Sequence, residues 1–178
     1  MSKKVFGSLA LLALMAIASA PAFAVTTGSG SVAVTATTVA TVSIAFSSDT
    51  SGIALTGSGT SAATNAFGNV QDYGGSVPTH VTKTSGVSSW TLATPFDVMV
   101  HVANQTSTDY TLSAQLLSSE GTYTWDVGGN TIINASSTQI TALGAYDTAV
   151  PYTFTLTIPA STAAGSISNT ISFLATAN

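Results

Sequence analysis

The side chains able to do chemistry in this sequence are few and scattered. They amount to two histidines, His80 and His101, seven carboxylates and many hydroxyls, and the 178 residues contain no cysteine. His101 follows Val100 in an alternating run, which turns its imidazole toward solvent. With no acid cluster beside them in sequence, the two histidines do not make a metal set. The Gly-x-Ser-x-Gly elbow of a serine hydrolase is absent. Gly28-Ser29-Gly30 and Gly57-Ser58-Gly59 read as flexible turns instead. Glu120 and Asp126 are the closest acid pair outside loops and bring paired glycosidase carboxylates to mind, but they flank a predicted strand, Gly121 to Trp125. Opposite ends of one strand make a poor shared sugar site. Asp126 to Asn130 lacks the spacing of a calcium loop and reads as turn capping. Trp90, Trp125 and Tyr123, with Tyr73 and Tyr146, can stack on sugar rings if they are exposed together; buried strand aromatics are the competing reading. Asn104-Gln105-Thr106 and Asn134-Ala135-Ser136 match glycosylation triplets by coincidence of composition. No catalytic residue, metal ligand or cofactor is assigned on this basis, and the chain is expected not to be an enzyme.

The elements that must carry these residues are strands. Apolar residues recur with a period of two at Val32, Val34, Ala36; Val42, Ile44, Phe46; Phe96, Val98, Val100, Val102; Tyr110, Leu112, Ala114, Leu116; and Tyr152, Phe154, Leu156, Ile158. The last run shifts to odd positions, at Ile167, Ile171, Phe173 and Ala175. Such alternation marks strands with one buried and one wet face. Turn residues separate the runs at Asp49-Thr50-Ser51-Gly52, Gly57-Ser58-Gly59, Gly74-Gly75, Gly128-Gly129-Asn130 and Ala164-Gly165. Tyr123 to Ile133 reads as a hairpin around Gly128-Gly129. Ser61 to Ala66 and Ser161 to Ala164 have room for one helical turn each, and residues 49–94 form the least regular stretch. The expected fold is all-β: a two-sheet antiparallel sandwich of about nine strands with Greek-key, immunoglobulin-like connections.

The first residues set the compartment. Lys3 and Lys4, an apolar run from Val5 to about Ala18, and Pro21-Ala22-Phe23-Ala24 have the three-part layout of a secretory signal, with small side chains at −3 and −1 of a cut after Ala24. The apolar run falls short of the ~20 residues that span a bilayer. The expected product is a single secreted domain, residues 25–178, with no integral membrane segment. Its only base is Lys83 against all seven acids, a net charge of −6, which excludes a nucleic-acid partner and electrostatic docking on anionic lipid. Without cysteine, its stability rests on packing and backbone pairing. Its 52 serines and threonines alternate with Val, Ile, Phe and Leu, the composition of a strand's solvent face rather than of a glycosylated stalk.

Monomeric sandwiches blunt their edge strands with lysine, proline or bulges, and one lysine with no arginine leaves little to blunt them with. The edges must therefore be short, covered, or meant to pair with another subunit. The opening Gly30-Ser31-Val32-Ala33-Val34-Thr35-Ala36 leading into Val42-Ser43-Ile44-Ala45-Phe46 resembles the first strand of pilin-like and spore-coat-U-like proteins. The ending, Leu156-Thr157-Ile158-Pro159 through Thr162-Ala163-Ala164-Gly165 to Asn169-Thr170-Ile171-Ser172-Phe173, is similar to the closing hairpin of many bacterial surface sandwiches. The cysteine pair frequent in chaperone-assembled pilins is missing. The resemblance implies filaments, coats or adhesive layers. The expected function is a structural subunit of an extracellular fibre, coat or matrix that self-associates into oligomers or filaments. In that function residues 25–36 would serve as an exchangeable N-terminal strand, with Val32, Val34 and Ala36 as the expected subunit contacts. The alternative is that residues 31–46 form the first strand of their own domain. A monomeric carbohydrate-binding or adhesion module, with glycans as partners, is the second functional reading.

Overall fold

The computed structural model describes residues 41–73, 77–103 and 107–178. The secretory signal, the segment 25–36 with Val32, Val34 and Ala36, Gly74-Gly75 and the triplet Asn104-Gln105-Thr106 lie outside the described residues. Nine strands are present among the described residues: β1 (Thr41–Ser48), β2 (Thr82–Ser85), β3 (Ser89–Ala103), β4 (Tyr110–Leu116), β5 (Thr124–Val127), β6 (Asn130–Ile132), β7 (Thr138–Gly144), β8 (Val150–Pro159) and β9 (Ile171–Ala177). They form two antiparallel sheets. The larger runs β1-β3-β8-β5-β6, with β2 also on β3, and the smaller runs β7-β4-β9.

The 15-residue β3 is the spine. On one flank it pairs with β8 over Ser89–Val98. On the other it pairs first with β2 over Trp90–Ala93 and then with β1 over Phe96–Ala103. Pro95 sits where β2 hands over to β1, so its missing N–H leaves no ladder bond unmade on that flank. The even-numbered side chains of β3 turn inward: Trp90, Leu92, Thr94, Phe96, Val98, Val100 and Val102 are all buried. Tyr110, Leu112, Ala114 and Leu116 of β4 meet them from the opposite sheet, joined by Trp125, Val127, Ile132, Phe154, Leu156 and Ile158. Each large apolar side chain buried this way stabilises the fold by roughly 1.5–3 kcal/mol, which in the absence of disulfides is the main favourable term.

The structure corrects the expected irregular stretch. It ends at Val81, because β2 and the first six residues of the 15-residue β3 lie within it. The inward alternation of β3 begins at Trp90, but a polar residue, Thr94, and Pro95 interrupt its apolar signature. Thr94 is satisfied inside the core. Its hydroxyl accepts from Ile53 N at 2.9 Å and donates to the His80 carbonyl at 3.1 Å, tying two loops to the spine. Neither short helical turn forms. Thr64 is bridged to Thr56, and Thr162 N closes a turn onto the Pro159 carbonyl. The hairpin at Gly128-Gly129 forms as expected, with both glycines at positive φ. No helix among the described residues is long and apolar enough to cross a membrane.

Candidate functional site

The chemically able side chains are not brought together. His101 pairs with the Asp147 carboxylate, 46 residues away, but both side chains are more than half exposed. His80 lies on the surface at positive φ. Glu120 accepts from the backbone N–H groups of Thr122 and Tyr123, while Asp126, inside β5 rather than beyond its end, accepts from the Thr131 hydroxyl. The Asn130 amide donates to the carbonyls of Val127 and Gly128, which is turn capping. Among the described residues no group of three or more His, Asp or Glu can hold a metal ion. Trp90 and Trp125 are core residues, 7% and 6% exposed, so their faces are not open to a sugar, and Tyr123 is half-buried. Tyr146 packs on Tyr110 and donates its hydroxyl to the Asp109 carbonyl. Of the aromatics named from sequence, Tyr73 alone stands free, at 95% exposure beside Lys83 and Val87. The Lys83 ammonium is itself occupied by the carbonyls of Gln71 and Asp72 and lies over the Trp90 ring.

The two lateral margins of the sandwich differ sharply. On the β6–β7 side, hydrogen bonds stitch the sheets together. Leu116 N donates to the Ile133 carbonyl, Asn134 Nδ2 donates to the carbonyls of Leu116 and Leu117, Gln115 Nε2 donates to the Asn134 carbonyl, and the Thr138 hydroxyl donates to the Thr131 carbonyl. On the β1–β9 side, no backbone bond joins the two strands among the described residues.

The backbone groups left without a described partner on that side follow from register. Phe46 directs its N–H and C=O away from β3, to Thr60 and Gly59. Alternation within a strand then directs the same groups of Val42 and Ile44 outward, where no described residue pairs with them. On β9, Thr170 and Asn178 bond toward β4, so Ile171, Phe173 and Ala175 direct their backbone groups outward. The same five residues turn their side chains inward, yet all stay only partly buried, as does Phe46, whereas their counterparts on β3 and β4 are fully covered.

Strand direction adds a constraint. Phe96 of β3 meets Phe173, the register partner of Ala114, while the Val100 carbonyl accepts from Asp147, next to Tyr146, which bonds to Asp109 ahead of β4. β3 and β4 therefore run in opposite directions, and so do β1 and β9. A strand added in this seam is antiparallel to one margin and parallel to the other. Neither β1 nor β9 carries a charge or a proline. The sequence hinted at this surface only through what it lacked, the lysine and proline that blunt an edge.

Comparisons with protein-family models, with curated proteins and with solved structures find no match for this chain.

Proposed function

We propose that the chain is a structural subunit of an extracellular fibre, coat or matrix, joined to its neighbours by strand addition at the seam between β1 and β9. The observation that carries this reading is the coincidence, on one margin, of two uncharged edges whose outward backbone groups no described residue pairs with and a row of half-covered apolar side chains. A strand laid there satisfies the backbone and completes the core in one step. The donor in this reading is the segment around Val32, Val34 and Ala36, whose alternation matches an inward face, delivered on the small, polar tether Val25 to Gly30. Thr37-Thr38-Val39-Ala40 between donor and β1 holds none of the Gly, Pro, Asn or Asp that favour tight hairpins, which supports taking a second copy as the acceptor in this reading. The secretory layout of residues 1–24 supports the extracellular setting. Electron microscopy and light scattering of the purified 25–178 protein test the reading: high-mass polymers support it, and a monomer at every concentration rejects it.

The second reading, a monomeric carbohydrate-binding or adhesion module, draws on one observation, the free ring of Tyr73 beside Val87. Glycan binding by a stable monomer, abolished by Tyr73→Ala, would favour it.

A further inference from the structure

The turn at Gly57–Thr60 is more elaborately built than a connecting loop requires. Gly57 and Gly59 both take positive φ, and a Cβ on Gly57 would fall 2.5 Å from the Ala62 carbonyl oxygen. The Thr60 hydroxyl donates to the carbonyls of Gly57 and Ala62, at 2.8 Å each, and accepts from Ala62 N at 3.3 Å. Behind it, Thr56 and Thr64 exchange backbone bonds of 3.1 and 2.8 Å. The braced turn reaches onto the outer edge of β1. Phe46 N donates to the Thr60 carbonyl at 2.9 Å, Gly59 N donates to the Phe46 carbonyl at 2.7 Å, and Ser48 N donates to the Ser58 hydroxyl at 3.1 Å. Gly57-Ser58-Gly59 thus occupies, at one end of β1, the place a neighbouring strand would take, and the stretch of that edge to which no described residue bonds is Thr41–Ala45.

We infer that this turn is a register stop: its bonds to Phe46 end the free edge of β1 and confine an incoming strand from a second copy to Thr41–Ala45. The inference rests on the strand-addition reading above. Alternating apolar strands specify face but not position, because a slip of two residues returns the same side chains to the same face. Val32, Val34 and Ala36 are near-equivalent in this respect, and an edge of uncharged Ser and Thr adds no discrimination. A physical end to the edge supplies it. The cleared edge offers the backbone groups of Val42 and Ile44, and the six-residue donor Ser31 to Ala36 is long enough to engage both.

The absence of cysteine allows a direct test. A disulfide forms only when Cα atoms lie within about 7 Å, so in a paired strand a cysteine reports its facing residue rather than one two positions on. The 25–178 chain is made with Ala33→Cys or Thr35→Cys combined in turn with Ser43→Cys, Ala45→Cys or Ser47→Cys. Oxidation is expected to give intermolecular ladders through position 43 or 45 and none through 47. Gly59→Pro removes the donor to Phe46 and forbids the positive φ, and Ser58→Ala/Thr60→Val removes the turn's braces more gently. In either variant, faster exchange of the Phe46 amide shows that the bridge has opened. Crosslinking through position 47 should then rise roughly tenfold or more. An open bridge with no crosslink at 47 overturns the stop while leaving strand addition standing. Crosslinks at 47 in the unmodified turn also overturn it. An absence of ladders in all six pairs, or crosslinks only within single chains, overturns the strand-addition reading itself.

Discussion

The rings of Phe46 on β1 and Phe173 on β9 lie 5.1 Å apart, centroid to centroid, although their strands share no backbone bond among the described residues. Phe96 closes the cluster, 6.5 Å from Phe46 and 6.2 Å from Phe173. Among the described residues side chains alone hold this margin of the sandwich together, and while Phe96 is buried, Phe46 and Phe173 are only partly covered from solvent.

Phe173→Ala is therefore expected to have two different costs. In the isolated subunit, where the ring is half-covered, the loss should be about 2 kcal/mol, below the roughly 3–5 kcal/mol of a fully buried phenylalanine. In the polymer, where an added strand covers the ring, the loss should approach the full value. Chemical denaturation of the monomeric and polymeric forms measures both, and equal losses would mean that nothing is added over Phe173.

The contact between Gly144 and Tyr110 sets a second expectation. A Cβ at Gly144 would lie 2.2 Å from Cζ of the Tyr110 ring, which is itself wholly buried. Gly144→Ala should cost about 3 kcal/mol, because the wholly buried Tyr110 ring would have to shift to admit the methyl group. Thermal unfolding of the single variant reads this directly.

The Tyr110 hydroxyl is buried with no hydrogen-bond partner among the described residues. Tyr110→Phe removes a desolvated, unpaired group and should stabilise the fold by about 1 kcal/mol. Burial, and then the neighbouring Tyr146, push the Tyr110 phenol up from its ordinary range; burial, and then Tyr110, do the same to Tyr152. A raised folded-state value means that the neutral phenols favour the fold fully below the unfolded tyrosine range near ~10. That contribution is lost as pH climbs through the folded-state values. Stability should thus fall above about pH 10, and Tyr110→Phe should move the alkaline midpoint upward. A midpoint unchanged by this substitution would show that another group governs alkaline unfolding.

Much of this architecture was legible in the sequence because a sandwich core writes itself as alternation. Phe96 to Val102 and Tyr110 to Leu116 are buried in the period their sequence displays. The start of β3 was hidden because the buried Thr94 hydroxyl makes its two bonds to loops far away in sequence, which no local pattern announces. The pairing of His101 with Asp147 was hidden for the same reason. The seam was legible only as a shortage of charge. Which edges remain unpaired depends on the order in which strands assemble, and alternation is silent about that.

His80→Ala and His101→Ala should leave both stability and assembly nearly unchanged. The His101–Asp147 pair is more than half exposed, and such pairs contribute at most about 0.5–1 kcal/mol. A variant that folds normally yet fails to assemble would reveal a role for the imidazole that its surroundings do not suggest.

The central claim is that the seam between β1 and β9 accepts the N-terminal strand of another copy. It is tested most directly by removing that strand and giving it back. A chain lacking residues 25–36 should be a folded monomer, less stable than the assembled form, that binds an added peptide of residues 25–40 in one-to-one stoichiometry and no longer polymerises. A peptide carrying Val34→Asp should bind at least roughly tenfold more weakly, since a carboxylate would enter the apolar row. If the truncated chain forms the same polymers as the intact one, or if the peptide with Val34→Asp binds as well as the native sequence, the seam is not where subunits join.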